Sequence, residues 1–453
     1  MGRKSLKRPD VWGGLECSYN RIEDLYIDQL QMCGHYGRIA GDIDGMAALG
    51  ITAMRYPVIW ERLQPRRQQT IDWDHTVTQP LESLRKHGIT PIAGLVHHGS
   101  GPNHADLLTH AFASGLSTFA RQVAEKFPWI EYYTPVNEPL TTARFSALYG
   151  FWYPHQNSDS AFARAMVNEM MAVVLSMQEI RKVNPAAKLV QTEDLAKSYS
   201  TPHLRYQADF ENHRRWLTCD FLCGMFTREH PLWEYFVSAG ITEDELKFLI
   251  DNPCPPDIIG ADYYATSERY LDEALEKYPT ETHGGNRFER YADVEALRVN
   301  LKDPHGISLL LRECWDRYHL PIAVTEVHLN CDYDNQIRWF ATIRNSCIAL
   351  ISLGVDIKAV TAWSLFGSFG WNKLLTVPNG EYESGVFDIR SGVPVSTPVA
   401  EYFTRLAKDP DYVHPAELEQ GWWQQNDRFL ISDEIESAVI VADDDLETAC
   451  IQR

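Results

Sequence analysis

Eight short apolar runs, separated by longer stretches with helical spacing, constrain the fold of this chain more than any other feature. The runs are VWGGLE (11–16), ITAMRYPV (51–58), TPIAGLVH (90–97), WIEYYTPVN (129–137), KLVQTED (188–194), DIIGADYY (257–264), PIAVTEVH (321–328) and AVTAWSLF (359–366). Most of them are continuous rather than alternating, which is typical of strands buried on both faces of a parallel sheet. Eight such strands alternating with helices predict an α/β fold, the (β/α)8 or TIM barrel.

The length of the chain, 453 residues, fits one large barrel with an addition, because such barrels run from about 200 to more than 400 residues. Residues 161–183 and 334–353 carry apolar side chains at helical spacing. An open doubly wound sheet is the alternative, but no GxGxxG follows the first run, so its usual nucleotide signature is missing. We expect the barrel over residues 1–405 and a C-terminal appendage over 406–453.

Composition and charge exclude several classes of protein and partner. With 44% apolar and 23% charged residues, the chain is neither collagenous nor disordered nor a coiled coil. A net charge of −20 makes nucleic acid and anionic membranes poor partners. No run approaches the roughly 18 apolar residues of a membrane span, and the basic start has no apolar segment typical of a secretory signal. The oligomeric state is left open.

The cysteines and histidines do not indicate a metal protein. Nine cysteines are scattered without CxxC spacing, which favours a reducing cytoplasm over a disulfide framework or a structural zinc site. A metal-dependent barrel hydrolase is an alternative that would use His97, His98, His104 and His110. However, no HxH ends the first run and no HExxH is present. We therefore expect no metal and no other cofactor.

Polar side chains accumulate where the predicted strands end, and in a barrel these ends form the rim on which active sites are built. They are Arg55, His97, His98, Asn137, Glu138, Glu193, Tyr263, Tyr264, Glu326 and, within the eighth run, Trp363. Glu138 follows the fourth run and Glu326 ends the seventh, so they face each other across a narrow barrel. Such paired carboxylates suit glycosidic bond cleavage, with retention at a separation of about 5–5.5 Å and inversion at about 6.5–9.5 Å.

Six motifs in order resemble those of family 1 glycoside hydrolases, over residues 10–405. TPVNEP (134–139) is similar to the T-x-NEP acid/base motif, and VTEVH (324–328) is similar to the [IV]TENG nucleophile motif. The other four are MRYPVIWERLQP (54–65), PIAGLVHH (91–98), DIIGADYYATS (257–267) and AWSLFGSFGW (362–371), which resemble RFSISWxRxxP, PxVTLxHW, DFIGxNYYTS and WSLxDNFEW. The resemblance implies a retaining barrel glycosidase with a small carbohydrate substrate.

The resemblance also implies roles for single residues. Glu138 would be the acid/base and Glu326 the nucleophile, with Arg55 and Tyr264 keeping Glu326 ionised and oriented. Asn137 would bind the sugar 2-hydroxyl, a contact that strengthens in the transition state. His97 would contact another hydroxyl, and Trp363 would form the apolar floor beneath the ring. Further sugar contacts are expected from Glu16, Asn20, His98 and Trp371.

Several positions depart from the family pattern. Gly370 stands where the family has a glutamate that grips the outer hydroxyls of glucose or galactose, and Asn20 stands for a glutamine, with Glu16 nearby. His98 replaces a tryptophan, Asp262 replaces the Asn of NYY, and ENG has become Glu326 followed by Val and His. We expect these changes to affect recognition of the glycon, the sugar whose bond is cut, rather than cleavage. They predict a glycon other than plain glucose or galactose, such as a deoxy sugar, a pentose or an otherwise modified sugar.

Two other functions remain open on the sequence. A non-catalytic sugar-binding barrel would explain the altered glycon positions, but it gives no reason to keep the five-residue set of Glu138, Glu326, Arg55, Asn137 and Tyr264. A transglycosylase would share the covalent intermediate and differ only in the acceptor that receives the sugar.

Overall fold

A computed structural model describes residues 7–67, 69–378 and 380–439. Eight parallel strands form a closed barrel whose order follows the chain, and the last strand pairs with the first. The strands are β1 (Asp10–Gly14), β2 (Ala53–Pro57), β3 (Thr90–His97), β4 (Tyr132–Asn137), β5 (Lys188–Asp194), β6 (Ile258–Asp262), β7 (Ile322–Val327) and β8 (Ile357–Ala362). Each of the eight predicted runs overlaps one of them, and six runs contain the whole strand. This confirms the TIM barrel. The eighth strand ends one residue before Trp363, which was expected inside it.

Helices connect the strands on the outside of the barrel. The main ones are α1 (Ile39–Ala48), α2 (His75–Lys86), α3 (His110–Lys126), α4 (Asp159–Val183), α5 (Glu243–Asp251), α6 (Ile307–Tyr318), α7 (Tyr333–Ser352) and α8 (Pro398–Lys408). Further α-helices are Gln29–Met32, Trp60–Leu63, Pro139–Ala143, Arg205–Arg214, Leu217–Leu222 and Trp233–Ser238, and Arg144–Leu148 is a π-helix. Single 3₁₀ turns are His35–Gly37, Leu275–Lys277, Thr280–Thr282, Ala296–Arg298, Trp371–Lys373, Pro415–Leu418, Trp422–Gln424 and Asn426–Arg428.

The periodicity read from the sequence places the helices correctly. Met166, Met170, Val173 and Met177 of α4 recur three or four residues apart and are fully buried. Side chains at this spacing share one face of a helix. The predicted helices at 161–183 and 334–353 correspond to α4 and α7.

One layer of apolar side chains fills the interior of the barrel. Seven of the eight strands each contribute one residue to a single buried cluster, namely Trp12, Ala53, Ile92, Val190, Ile258, Ala323 and Ala359. Packed layers of this kind make a TIM barrel a solid core rather than a pore. A site in this barrel is therefore confined to the rim formed by the C-terminal ends of the strands.

Short strands lie outside the barrel. One four-stranded sheet has the order His283–Gly285, Arg290–Glu295, Glu268–Asp272 and Lys197–Ser200. Two-stranded pairs are Tyr19–Ile22 with Leu25–Asp28, Ser368–Phe369 with Tyr382–Glu383, Phe387–Asp388 with Val395–Ser396, and Val299–Leu301 with Ile431–Ile435. No helix within the described residues is long and apolar enough to cross a bilayer.

The C-terminal segment packs against the barrel as far as the structure describes it. Trp423 is buried and meets Trp339 of α7 edge to face, with ring centres 5.0 Å apart. Arg338 of α7 donates a hydrogen bond of 2.6 Å to the carbonyl of Ala416. The boundary expected between residues 405 and 406 falls inside α8, and residues 440–453 of the expected appendage lie outside the described residues. The division into barrel and appendage stays a prediction.

Candidate active site

Three carboxyl groups meet at the C-terminal rim of the barrel. One oxygen each from Glu138, Asp262 and Glu326 lies within 4.8 Å of the other two, and all three residues are buried. Glu138 follows β4, Asp262 ends β6 and Glu326 lies near the end of β7. The parallel register places Glu326 directly beside Asp262 on neighbouring strands. The fold thus brings together the two glutamates singled out in the sequence and adds a third acidic group.

The backbone around Glu138 is held in an uncommon conformation. Its φ of 42° lies in the left-handed region, which costs a residue other than glycine about 1–3 kcal/mol. The short helix Pro139–Ala143 begins directly after it. Glu193, in β5, accepts a hydrogen bond of 2.8 Å from the backbone N–H of Leu140 in the first turn of that helix. This contact fixes the turn that directs Glu138 towards the other two carboxyls.

Arg55 and Tyr264 bind the two oxygens of Glu326. The Arg55 Nη1 atom lies 2.6 Å from Glu326 Oε1, and the Tyr264 hydroxyl donates to Oε2 at 2.5 Å. Burial raises the pKa of Glu326 to about 7, and the positive charge of Arg55 and the hydrogen bond from Tyr264 oppose that rise. Both groups favour the ionised carboxylate.

Glu138 has a different environment. Burial raises its pKa well above the ordinary value, and the negative charges of Asp262 and Glu326 raise it further. His98 Nε2 lies 3.6 Å from Glu138 Oε2. The pKa values of both glutamates are raised, but Arg55 and Tyr264 oppose the rise at Glu326, whereas two neighbouring carboxyls reinforce it at Glu138. The environments thus push the two pKa values apart, as in carboxyl pairs that divide acid and base work.

Asn137 joins the carboxyl centre to the expected sugar-binding residues. Its side-chain oxygen accepts hydrogen bonds from Arg55 and, at 2.8 Å, from the Thr192 hydroxyl. Its side-chain nitrogen lies 3.3 Å from His97 Nε2. The His97 ring stacks on Trp363 with centres 5.6 Å apart, and the Arg55 guanidinium lies 4.4 Å from the same indole.

The four remaining predicted sugar contacts also lie at this rim. Glu16 accepts hydrogen bonds from the backbone N–H and hydroxyl of Ser18 at 2.9 and 2.5 Å. Burial raises the pKa of Glu16, and hydrogen bonds from Ser18, Trp371 and Trp363 oppose that rise. The ring of His98 contacts the edge of Trp371, with centres 5.6 Å apart.

Asn20 is engaged by a neighbouring loop. Its Nδ2 donates to the carbonyl of Leu375 at 3.1 Å, while its Oδ1 is buried and has no hydrogen-bond partner among the described residues. The Trp152 indole donates to the carbonyl of Leu374 at 2.7 Å. Leu374 and Leu375 both have φ near 50°, so this loop carries strain where it meets Asn20.

Two features of the site were missed in the sequence. Asp262 was expected to affect glycon recognition, which stays a prediction, but its position within 4.8 Å of both Glu138 and Glu326 was not foreseen. The change of NYY to DYY marked the position as unusual without indicating these contacts. Glu193 was noted at a strand end, but its hydrogen bond to the helix after Glu138 depends on tertiary structure.

Among the described residues, these three carboxyls form the one group of side chains close enough together to ligate a metal ion. Carboxylate oxygens suit hard cations such as Mg²⁺ or Ca²⁺. However, the guanidinium of Arg55 already binds one oxygen of Glu326 and lies 3.7 Å from Asp262. The positive charge that this acidic centre needs is thus partly supplied by the protein itself.

A TIM barrel with paired glutamates at the ends of β4 and β7, in environments that push their pKa values apart, defines the class of barrel glycoside hydrolases. The sequence profile described as glycosyl hydrolase family 1 matches residues 9–380. The chain belongs to this family and is a glycoside hydrolase, and its substrates are glycosides.

Individual relatives are distant but match over most of their length. β-Glucosidase A of Thermotoga maritima is 22% identical over 369 residues, which covers 75% of this chain and 79% of the relative. Aryl-phospho-β-D-glucosidase BglC of Bacillus subtilis is 21% identical over 384 residues, covering 74% and 78%. The solved structure of a family 1 β-glucosidase from Thermotoga maritima has a TM-score of 0.72 at 17% identity and covers 89% of this chain and 99% of its own. It supports the barrel fold.

Proposed function

We propose that this protein is a retaining β-glycosidase in which Glu138 is the acid/base and Glu326 the nucleophile. Glu326 attacks the anomeric carbon while Glu138 gives its proton to the departing oxygen, which breaks the glycosidic bond and leaves the sugar esterified to Glu326. Glu138 then takes a proton from water, which attacks the same carbon and releases Glu326.

The observation that carries the proposal is the spacing of the two carboxyls. An oxygen of Glu138 lies within 4.8 Å of an oxygen of Glu326. This upper limit on the distance between two oxygens is compatible with the about 5–5.5 Å separation of the carboxyl groups in retaining enzymes. It lies below the about 6.5–9.5 Å that an inverting enzyme needs to admit water. The hydrogen bonds from Arg55 and Tyr264 to Glu326 also favour a carboxylate that acts as nucleophile.

The glycon is proposed to differ from plain glucose or galactose. Gly370 offers no side chain to grip outer hydroxyls, and Asn20 already donates to the carbonyl of Leu375. A site that lacks the partners of a hydroxyl discriminates against sugars carrying it, because that hydroxyl would be buried unpaired. A deoxy sugar, a pentose or another modified sugar fits this pattern. The cytoplasmic location expected from the cysteines stays a prediction.

The test is covalent labelling with a panel of 2-fluoro glycosides, followed by peptide mapping. We expect a label on Glu326, formed fastest with a sugar other than glucose or galactose. A label on another residue would contradict the assignment of the nucleophile, and fastest labelling by the glucoside would contradict the glycon proposal. Sugar binding without labelling by any member would favour a non-catalytic barrel. Turnover only when an acceptor alcohol is supplied would favour a transglycosylase.

A further inference from the structure

Asp262 has one satisfied oxygen and one unsatisfied oxygen. The residue is fully buried, and its Oδ1 accepts a hydrogen bond of 2.7 Å from the Thr325 hydroxyl. No donor within the described residues reaches its Oδ2. An oxygen of Glu138 lies within 4.8 Å of an oxygen of Asp262. Two ionised carboxylates cannot bond to each other, so a hydrogen bond here requires a proton on one of them.

The groups facing this pair supply too little positive charge to ionise both members while Glu326 also carries its negative charge. Arg55 is the one Arg or Lys of the described residues within 4.0 Å of the three carboxyls, and its close contact is with Glu326. Burial lowers the pKa of His98 to about 3 and that of His97 well below its ordinary value, so both rings are neutral. The other facing groups are Tyr264, Glu193 and Asp194, of which the latter two are acidic.

We propose that Asp262 and Glu138 share one proton, and that Asp262 is a positioning residue that keeps the acid/base protonated into the alkaline range. This inference rests on the proposed role of Glu138. Two carboxyl groups held close together in a buried site cannot both ionise readily, and sharing a proton is the known solution to that conflict.

The shared proton is compatible with both steps of the reaction. Before cleavage the pair carries one negative charge, Glu326 carries another, and Arg55 carries one positive charge. When the proton passes to the departing oxygen, the pair gains a negative charge just as Glu326 loses its own by forming the ester. When water is split, the pair recovers a proton and Glu326 is released as a carboxylate. The net charge of the centre is therefore −1 at every stage, by this count of the four groups.

The test combines a pH profile with infrared spectroscopy on D262N. Asparagine is nearly isosteric, carries no charge and can donate to Glu138, so it favours ionised Glu138. We expect the alkaline limb of kcat/KM to move at least about one pH unit lower. The carbonyl stretch of the protonated pair, measured without substrate, should shift in D262N, where Glu138 holds the proton alone, and should disappear in E138Q. An unmoved alkaline limb with an unchanged stretch would overturn the shared proton.

A matched control is E61Q, in which another buried carboxyl is neutralised. Burial raises the pKa of Glu61 to about 7, and its Oε1 accepts from the backbone N–H of Gly101. E61Q should leave the alkaline limb in place. If D262N fails to fold, E138Q carries the infrared test alone, and persistence of the stretch would overturn the pair. If no glycoside is turned over but the stretch shifts in D262N and is lost in E138Q, the shared proton stands and the proposed function fails.

Discussion

Arg55 and Glu326 form an ion pair of 2.6 Å in which neither side chain is more than 6% exposed. The same Nη1 atom donates to the carbonyl of Thr325 at 3.0 Å, so the guanidinium fixes both the side chain and the backbone at the end of β7. Removing one partner of such a buried ion pair strongly destabilises the site, because the remaining charge stays buried without a compensating charge.

Arg55 should therefore control the acidic limb of the pH profile. Burial raises the pKa of Glu326 to about 7. Because the proposed nucleophile must be ionised, kcat/KM should fall as the pH drops below about 7. Arg55→Met removes the charge that lowers the pKa of Glu326, so the acidic limb should move to higher pH, with a loss of at least about 100-fold at pH 7. Arg55→Lys keeps the charge and should move the limb less. A limb that stays in place in the folded methionine variant would contradict this assignment.

Glu326→Ala should lower kcat by at least about 1,000-fold, because it removes the nucleophile. Azide can enter the space left by the side chain and attack the anomeric carbon directly. We expect azide to restore part of the turnover and to give a glycosyl azide of inverted configuration, identified by NMR. Wild-type rates in Glu326→Ala, or a rescued product with retained configuration, would show that Glu326 is not the nucleophile.

Glu138→Ala should discriminate between leaving groups. Alkyl glycosides need protonation of the departing oxygen, so their kcat/KM should fall by about 100- to 10,000-fold, the usual contribution of general acid catalysis. The leaving group of an activated aryl glycoside departs without that proton, so the rate of forming the glycosyl-enzyme from such substrates should be much less affected. The measurement is a plot of log kcat/KM against leaving-group pKa, which should become steeper in the variant. An equal loss for all substrates would argue for a structural role.

Glu169 of α4 should make the fold less stable at alkaline pH. It is fully buried, and both its oxygens are without hydrogen-bond partners among the described residues. Burial, followed by the negative charge of Glu193, raises its pKa well above the ordinary value. The folded chain thus binds this proton more tightly than the unfolded chain, so stability falls by up to about 1.4 kcal/mol per pH unit as the pH rises above about 4.3.

Thermal unfolding of Glu169→Gln at pH 5 and pH 8 tests this account. The Tm of the variant relative to wild type should increase between pH 5 and pH 8, because the variant lacks the titrating group. Glu125→Gln, a change at an exposed position of α3, should give the same difference at both pH values. A difference for Glu169→Gln that does not change with pH would contradict the buried-proton explanation.

The barrel could be predicted from the sequence because its strands are buried on both faces. Strands of this kind consist largely of apolar residues, and they appear in the sequence as eight short apolar runs. The meeting of Glu138 and Glu326 followed from the same reasoning, since both stand at strand ends that share one rim. The contacts of Asp262 could not be predicted, because they depend on the register that sets β6 beside β7. The side chain of Asn20 donates a hydrogen bond to the backbone carbonyl of Leu375, a residue with left-handed φ. The identities of the two residues do not indicate this hydrogen bond.

The apolar layer of seven strand residues beneath the site fills the interior of the barrel, so the carboxyl centre cannot be reached from the N-terminal ends of the strands. A sugar that reaches the carboxyl centre therefore enters from the side of the C-terminal rim, and after cleavage it leaves on the same side, because the described side chains fill the barrel beneath it. The freed sugar and the next substrate therefore compete for the same passage, so accumulating product should slow the enzyme as a competitive inhibitor.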